Sequence, residues 1–213
     1  MADAIIVGAG PAGLTAATYL LRFRRSVLVV DAGQSRARWI PKSHNIPAFS
    51  KGIDGRSLLR ELTSQALRYG AQIISGNVHS IAQASTGFAV SIGDRVLSSR
   101  FVILATGVVD RLPDIPGASE ALGRGIMRVC PICDAYEAID HKIAVIGSGE
   151  HAEREALFLL PYSRQITLLQ MDSSHRQDIR SRLGSVGIAV IDADISNMRF
   201  GKEGLKLRFG MGQ

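Results

Sequence analysis

The chain has 213 residues, of which 46% are hydrophobic and 21% charged, a composition typical of folded proteins and not of disordered ones. Its longest apolar runs, such as those over 101–105 and 143–146, fall far short of the roughly 20 residues that a membrane-spanning helix needs, so we expect no membrane partner. Its 25 basic and 19 acidic side chains give a net charge of +6, but the basic ones are scattered, which argues against a nucleic-acid partner.

The first half of the chain begins with a strand–helix–strand unit. A short apolar strand over 4–7 enters a Gly-rich turn, a helix follows over 12–24, and a second strand is predicted over 27–30. Such a unit favours a parallel sheet with a right-handed crossover. The rest of this half is predicted as a loop, a helix and three strands, over 32–57, 57–69, 71–75, 87–92 and 101–105.

The second half repeats the same unit. After a segment with Pro113 and Pro116, a strand over 142–146, a helix over 150–160 and a strand over 165–169 follow, and this helix is expected to expose Glu153 and Glu155 to solvent. The second Gly-rich turn lies 139 residues after the first, which indicates a duplicated nucleotide-binding unit. The tail over 187–209 is predicted as a meander of three short strands with turns at Gly201 and Gly204.

The first Gly-rich turn has the sequence Gly8-Ala9-Gly10-Pro11-Ala12-Gly13, and Asp31 ends the next strand. This spacing is the dinucleotide-binding fingerprint. Its first Gly permits a tight turn, its second lets the backbone approach a pyrophosphate, and its third lets helix pack on strand. Asp31 would accept hydrogen bonds from a ribose. The alternative is a Gly-rich turn with a purely structural role.

The second turn, Gly147-Ser148-Gly149-Glu150-His151-Ala152, repeats the fingerprint with Ala in third place. No basic residue follows directly after its second strand, and Asp172 stands where it would repel a 2′-phosphate. Arg176 and Arg180 lie further on and could reach round to the nucleotide. The alternative is a second sheet that binds no nucleotide.

Cys130 and Cys133 are the only cysteines of the chain and form one C-x-x-C. The N-terminus lacks the features of a secretory signal, so we expect a cytoplasmic location, where a C-x-x-C indicates redox or metal chemistry. A helix starting near Cys133 places both thiols at its N-terminal end, where the helix dipole favours the thiolate. Asp134 could shuttle a proton. Zinc needs four ligands, and His141 and His151 are too far apart in sequence to complete a site, so we expect no metal.

Taken in order, these motifs resemble the low-molecular-weight thioredoxin reductases, which are flavoprotein disulfide oxidoreductases. The resemblance includes the loop Ser43-His44-Asn45-Ile46-Pro47, the turn Ala105-Thr106-Gly107, and the stretch from Gly147 to Ala156. It implies an α/β fold with two Rossmann-like, three-layer nucleotide-binding domains, the FAD domain being interrupted by the NAD(P)H domain. The implied boundaries are an FAD-binding segment over 1–110, a linker over 111–117 and an NAD(P)H-type domain over 118–213.

The resemblance also implies the roles of individual residues. Cys133 would face the flavin, Cys130 would attack a thioredoxin-like or small-molecule disulfide, and Asp134 would be the general acid. A homodimer is implied as well. NAD(P)H would bind at Gly147, Gly149 and Ala152, and FAD would bind at Gly8, Gly10, Pro11, Ala12, Gly13, Asp31, Asn45, Ala105, Thr106 and Gly107.

The sequence departs from this family at two places. The NADPH-dependent reductases carry His-Arg-Arg-x-x-x-Arg after the second fingerprint, whereas the matching positions here are Gln170, Met171, Asp172 and Arg176. NADPH specificity is therefore not expected. The chain also stops at Gln213, before the second FAD segment of the family, so we expect a fragment or an incomplete flavin site. Two alternatives remain open: a dithiol oxidase or reductase with another electron partner, and an inactive nucleotide-binding module.

Overall fold

The computed structural model describes residues 1–171 and 176–208. The chain divides into two compact units, Met1–Asp110 and Arg111–Gln213. Residues 111–117 belong to the second unit, because Ile115 is buried in its core and the Pro116 carbonyl accepts a hydrogen bond from the Phe200 N–H at 3.0 Å. Within the described ranges, no helix is long and apolar enough to cross a membrane.

The first unit is built on one six-stranded sheet with the order β3-β2-β1-β6-β5-β4. The strands are β1 Ala2–Val7, β2 Val27–Asp31, β3 Gln72–Ser75, β4 Val78–Ala84, β5 Gly87–Ile92 and β6 Arg95–Leu104. Strands β3, β2, β1 and β6 run parallel to one another, whereas β5 is antiparallel to both of its neighbours, β6 and β4. Strand β6 joins the two parts, since its Ser99 pairs with both Ala2 and Phe88.

Apolar side chains alternate across this sheet and fill two cores. The helices α1 Pro11–Arg22 and α2 Gly55–Arg68 cover one face, where Ile6 packs among residues such as Leu14 and Ala66. On the opposite face Ile5 packs with Val90 of the antiparallel strands. Successive residues of a strand point to opposite faces, so neighbouring isoleucines serve different cores. The expected three-layer α/β arrangement is confirmed.

Two elements of the first unit differ from the prediction. Strand β4 was not predicted from the sequence, and most of its side chains are exposed. Its backbone hydrogen bonds to β5 place it at the sheet edge. Strand β6 is also longer than the predicted 101–105, since its first half pairs with β5. A short 3-10 helix, Arg36–Trp39, interrupts the long loop after β2.

The second unit contains a smaller parallel sheet with the order β7-β8-β9. Its elements are β7 Ile143–Gly147, α5 Gly149–Phe158, β8 Ile166–Gln170, α6 Arg176–Ser185 and β9 Ala189–Asp192. Leu168 is buried with the helices, whereas its neighbour Leu169 is buried on the opposite face with Met198. The repeated strand–helix–strand unit is thus confirmed.

The meander predicted for the tail is wrong in one respect. Strand β9 pairs in parallel with β8, and only β10 Met198–Phe200 and β11 Leu205–Leu207 form an antiparallel hairpin. The cause is helix α6, which the pattern did not predict because Ile179 and Leu183 are its only buried apolar residues. The remaining short helices are α3 Ala118–Gly123, α4 Pro131–Asp134 and the 3-10 helices Tyr136–Ala138 and Ile195–Asn197.

Candidate functional site

The first Gly-rich turn is held tightly between β1, β6 and α1. Gly8 has φ +109°, and a Cβ there would lie 2.3 Å from the Ala105 carbonyl oxygen. A Cβ at Gly13 would lie 1.9 Å from the Gly8 carbonyl oxygen. Both positions therefore require glycine, the first for its backbone conformation and for space, the second for helix packing.

Gly10 has a different environment. The nearest atom to a Cβ at this position is Ser35 Oγ, at 3.4 Å, so the backbone here is approachable. Helix α1 begins at Pro11; within the described structure it has no side-chain cap, and its first turn contains no acidic residue. Its first N–H groups are thus available to an anion, and the helix dipole favours negative charge at this end. A dinucleotide pyrophosphate fits this cradle.

Several other predicted residues lie at the same edge of the sheet. Strands β1, β2 and β6 end there side by side, since Val7 pairs with Val30 and with Leu104. Asp31 follows on β2, and its Oδ1 accepts a hydrogen bond from the Gly33 N–H at 2.9 Å. The turn Ala105-Thr106-Gly107 follows β6, with the Ala105 N–H donating to Val7 at 2.9 Å.

Asn45 lies on a separate loop. Antiparallel pairing between Ser43 and Ile53 closes this loop, and Ser43 Oγ donates a hydrogen bond to Asn45 Oδ1 at 2.6 Å. Residues 44–50 line a shallow cleft in it. Ala48 has φ +73° within this cleft, a left-handed conformation that costs a non-glycine residue roughly 1–2 kcal/mol. Such strain is concentrated at functional sites in proteins.

The second Gly-rich turn differs from the first in backbone conformation, because its left-handed glycine is Gly149, the second of the motif, whereas in the first turn it is Gly8. Gly147 ends β7, and a Cβ there would lie 2.8 Å from Ala152 Cβ, so this glycine permits the helix–strand contact. Gly149 has φ +61° and no atom within 4 Å of a Cβ position. Ser148 precedes α5 without a side-chain cap, which leaves N–H groups for an anion, although Glu150 places a carboxylate in the first turn. A dinucleotide also fits this turn.

The edge next to this turn carries an ion pair. Gly147 pairs with Gln170, and Gln170 with Asp192, so the three residues form a row across the sheet. Arg180 Nη2 lies 3.2 Å from Asp192 Oδ2, so Arg180 reaches this edge. Asp172, which is predicted to repel a 2′-phosphate, lies outside the described residues, as does the Arg176 side chain.

Cys130 and Cys133 form a disulfide with an S–S distance of 2.04 Å. Helix α4 starts at Pro131, two residues before Cys133, and makes a single turn, so both cysteines lie at its N-terminal end as expected. Cys130 is the N-cap residue, and its Sγ accepts a hydrogen bond from the Cys133 N–H at 3.2 Å. Such a bond also favours a thiolate at Cys130.

Asp134 follows the disulfide directly and is paired with a residue that precedes it. Arg128 Nη1 lies 3.0 Å from Asp134 Oδ1, with side-chain exposures of 33% and 23%. Two large hydrophobic side chains of the same segment are exposed, Ile132 at 82% and Tyr136 at 74%. Within the described residues, no group of three or more His, Cys, Asp or Glu side chains could hold a metal ion.

The model of the pyridine nucleotide-disulphide oxidoreductase family matches residues 2–190 of this sequence. The chain belongs to this family. Two curated members are the bifunctional thioredoxin reductase/thioredoxin of Mycobacterium leprae, 36% identical over 179 residues, and the thioredoxin reductase of Mycolicibacterium smegmatis, 35% identical over 178 residues. Both matches cover 83% of this chain, and they cover 38% and 55% of the respective relatives. The chain therefore spans about half the length of these relatives or less.

A solved structure agrees with this membership. Thioredoxin reductase from Streptococcus pyogenes superimposes with a TM-score of 0.79 and 25% identity, over 90% of this chain and 63% of that chain. The likeness extends over both units and supports the fold described above.

Sequence reasoning missed three polar residues that the structure places near the candidate sites. Arg36 donates to both carboxylate oxygens of Asp110, from Nη2 to Oδ1 at 3.2 Å and from Nε to Oδ2. This pair joins the loop after β2 to the segment after β6, next to the first Gly-rich turn. Arg128 is the third. The sequence feature that could have pointed to these residues is their charge in segments that directly follow strands or precede the C-x-x-C.

Proposed function

We propose that this chain supplies the nucleotide-binding and redox parts of a flavin-dependent disulfide oxidoreductase of the thioredoxin reductase type. The observation that carries the proposal is the Cys130–Cys133 disulfide on a chain that also contains two glycine turns shaped for dinucleotides. The names of the Mycobacterium leprae and Mycolicibacterium smegmatis relatives support the same activity. The implied homodimer stays a prediction.

The first unit is the proposed FAD site. The N–H groups at the start of α1 bind the pyrophosphate beside Gly10, and Asp31 accepts hydrogen bonds from the ribose. Gly8 and Gly13 keep the turn compact enough for this approach. Asn45 and the turn over 105–107 are proposed to contact the rest of the cofactor. FAD, when bound, supplies the two-electron transfer between nicotinamide and disulfide.

The second unit is the proposed NAD(P)H site, with the pyrophosphate at the start of α5 beside Gly149. Two features argue against a strong preference for NADPH. Asp172 replaces an arginine of the family pattern. Arg180 is already paired with Asp192, so binding a 2′-phosphate would compete with that ion pair. We propose that NADPH has no large advantage over NADH.

The disulfide chemistry follows from the two different cysteine environments. In the reduced form, the Cys130 thiolate attacks one sulfur of the partner disulfide, which forms a mixed disulfide and expels a partner thiolate. Cys133 then gives up its proton and attacks Cys130 Sγ. This second step re-forms Cys130–Cys133 and releases the other partner thiolate. Two electrons pass from the dithiol to a thioredoxin-like or small-molecule disulfide.

The test is anaerobic reduction of the full chain in the presence of FAD, followed by thiol alkylation and mass measurement. We expect NADH and NADPH to give comparable rates, with two alkylated cysteines in each case. Cys133→Ser should prevent dithiol-driven flavin bleaching while any bound FAD stays yellow. If FAD binds but neither nucleotide opens the disulfide, whereas a dithiol bleaches the flavin, the nicotinamide part of the proposal is wrong. Because the flavin site of this chain is expected to be incomplete, FAD is supplied in large excess, and absence of any FAD binding even then would refute the flavin role.

A further inference from the structure

The ion pair between Arg128 and Asp134 brackets the redox disulfide. Arg128 precedes Cys130 by two residues and Asp134 follows Cys133 directly, yet their side chains meet at 3.0 Å. Both side chains are partly withdrawn from solvent, and the Asp134 N–H donates to the Cys130 carbonyl at 3.1 Å. Asp134 is therefore held at two points, by its backbone N–H and by one oxygen of its carboxylate. A guanidinium holds a carboxylate in a defined orientation better than solvent does.

We propose that Arg128 is a positioning residue for the resolving step, the attack of Cys133 on the mixed disulfide at Cys130. This inference rests on the proposed function and assigns a role within it. The Cys133 thiol must lose its proton before its sulfur attacks Cys130 Sγ. Asp134 takes that proton as it leaves, and the partner thiolate departs with the electron pair of the broken bond. Arg128 holds the Asp134 carboxylate in place for this transfer.

The first attack should depend less on this pair. The Cys130 sulfur already accepts the Cys133 N–H hydrogen bond, which stabilises a thiolate without help from Asp134. Within residues 128–137, the charged residues are Arg128, Asp134 and Glu137. Of the two carboxylates, Asp134 is the one adjacent to Cys133 in the sequence. Loss of Arg128 should thus slow the second step selectively, whereas loss of a merely structural contact would disturb both steps.

The two steps can be separated with the reduced full chain and the aromatic disulfide dithiobis(nitrobenzoic acid). The first attack releases one coloured thiolate and leaves a mixed disulfide, and the resolving attack releases the second. We expect Arg128→Ala to slow the second release by ~10-fold. This is less than the roughly 10²–10⁴-fold that a general base contributes, because Asp134 remains and only its orientation is lost. The first release should change by less than ~2-fold. Arg128→Lys should restore most of the second rate because a cation remains beside the carboxylate.

Arg124→Ala is the matched control. Arg124 lies four residues earlier, pairs with Glu120 at 3.7 Å and donates to the Lys202 carbonyl, so it contacts neither cysteine nor Asp134. Its removal should leave both releases unchanged. In a background of Asp134→Asn, which itself slows the second release, adding Arg128→Ala should cause no further loss, because Arg128 acts through Asp134.

Three results would overturn the assignment: an unchanged second release in Arg128→Ala, an equal slowing of both releases, or a full additional loss in the Asp134→Asn background. Mass spectrometry of the quenched reaction shows whether a mixed disulfide accumulates, as the proposal requires. If the wild-type reduced chain releases one thiolate and never the second, the cysteines do not act as a dithiol pair, and the proposed function itself is wrong.

Discussion

The buried carboxylate of Glu153 gives the sharpest stability prediction. Glu153 lies on α5 with its side chain 8% exposed, and both its oxygens accept hydrogen bonds from Arg182 of α6, at 2.6 and 2.7 Å. Glu153→Gln keeps the shape but removes the charge and places an amide NH₂ against the guanidinium. Hydrogen bonds to charged groups contribute about 1.5–3 kcal/mol, so we expect this change to cost ~1.5 kcal/mol.

The pH dependence of this cost has a definite sign. The hydrogen bonds from Arg182 lower the pKa of Glu153 below its ordinary value of 4.5, against the opposing effect of burial, and the positive charge of Arg182 adds to the lowering. A depressed pKa in the folded state means that the stabilisation is present above the unfolded value. It is lost as the pH falls through the folded pKa. The difference between wild type and Glu153→Gln should therefore be largest near neutral pH and shrink on acidification.

Urea unfolding followed by far-UV circular dichroism measures this difference. With a slope of about 2 kcal/mol per molar urea, a loss of ~1.5 kcal/mol lowers the midpoint by ~0.7 M. Glu155→Gln is the matched control on the same helix, because Glu155 is 33% exposed and pairs with His151 at 3.3 Å. It should change stability by less than ~0.5 kcal/mol. Equal midpoints for the two variants, or a loss in Glu153→Gln that persists at acid pH, would refute the reasoning.

Two further predictions concern glycines. Gly13→Ala would put a Cβ 1.9 Å from the Gly8 carbonyl oxygen, so we expect a loss of ~2 kcal/mol or more in urea unfolding together with loss of FAD binding in a flavin titration; an unchanged FAD affinity would contradict this. Gly184→Ala, on the exposed side of α6 with no atom within 4 Å of a Cβ position, should stabilise the chain by about 0.5–1 kcal/mol in the same assay. A lowered urea midpoint there would show that this position tolerates no side chain.

The candidate sites were largely predictable because their signals are local. A turn such as the one over 8–13 is specified by its own glycines, since the backbone conformation at Gly8 and the space at Gly13 exclude larger residues. The disulfide followed from the presence of two cysteines three residues apart. Arg128 was not predictable as the partner of Asp134. The two residues are separated by the C-x-x-C and meet because the turn of α4 carries Asp134 back towards Arg128.

Periodicity and short motifs were enough to predict the two strand–helix–strand units, their glycine turns and the redox pair, because such signals act within a few residues of the chain. The contacts between distant segments depend on how the chain folds in three dimensions. Glu153 was expected to be exposed, yet α6 covers it and Arg182 compensates its charge. Strand β9 joins a parallel sheet because α6 crosses over from β8, although α6 itself has a weak apolar pattern. Burial and strand partners depend on which segments meet in space, and a one-dimensional pattern carries that information only weakly.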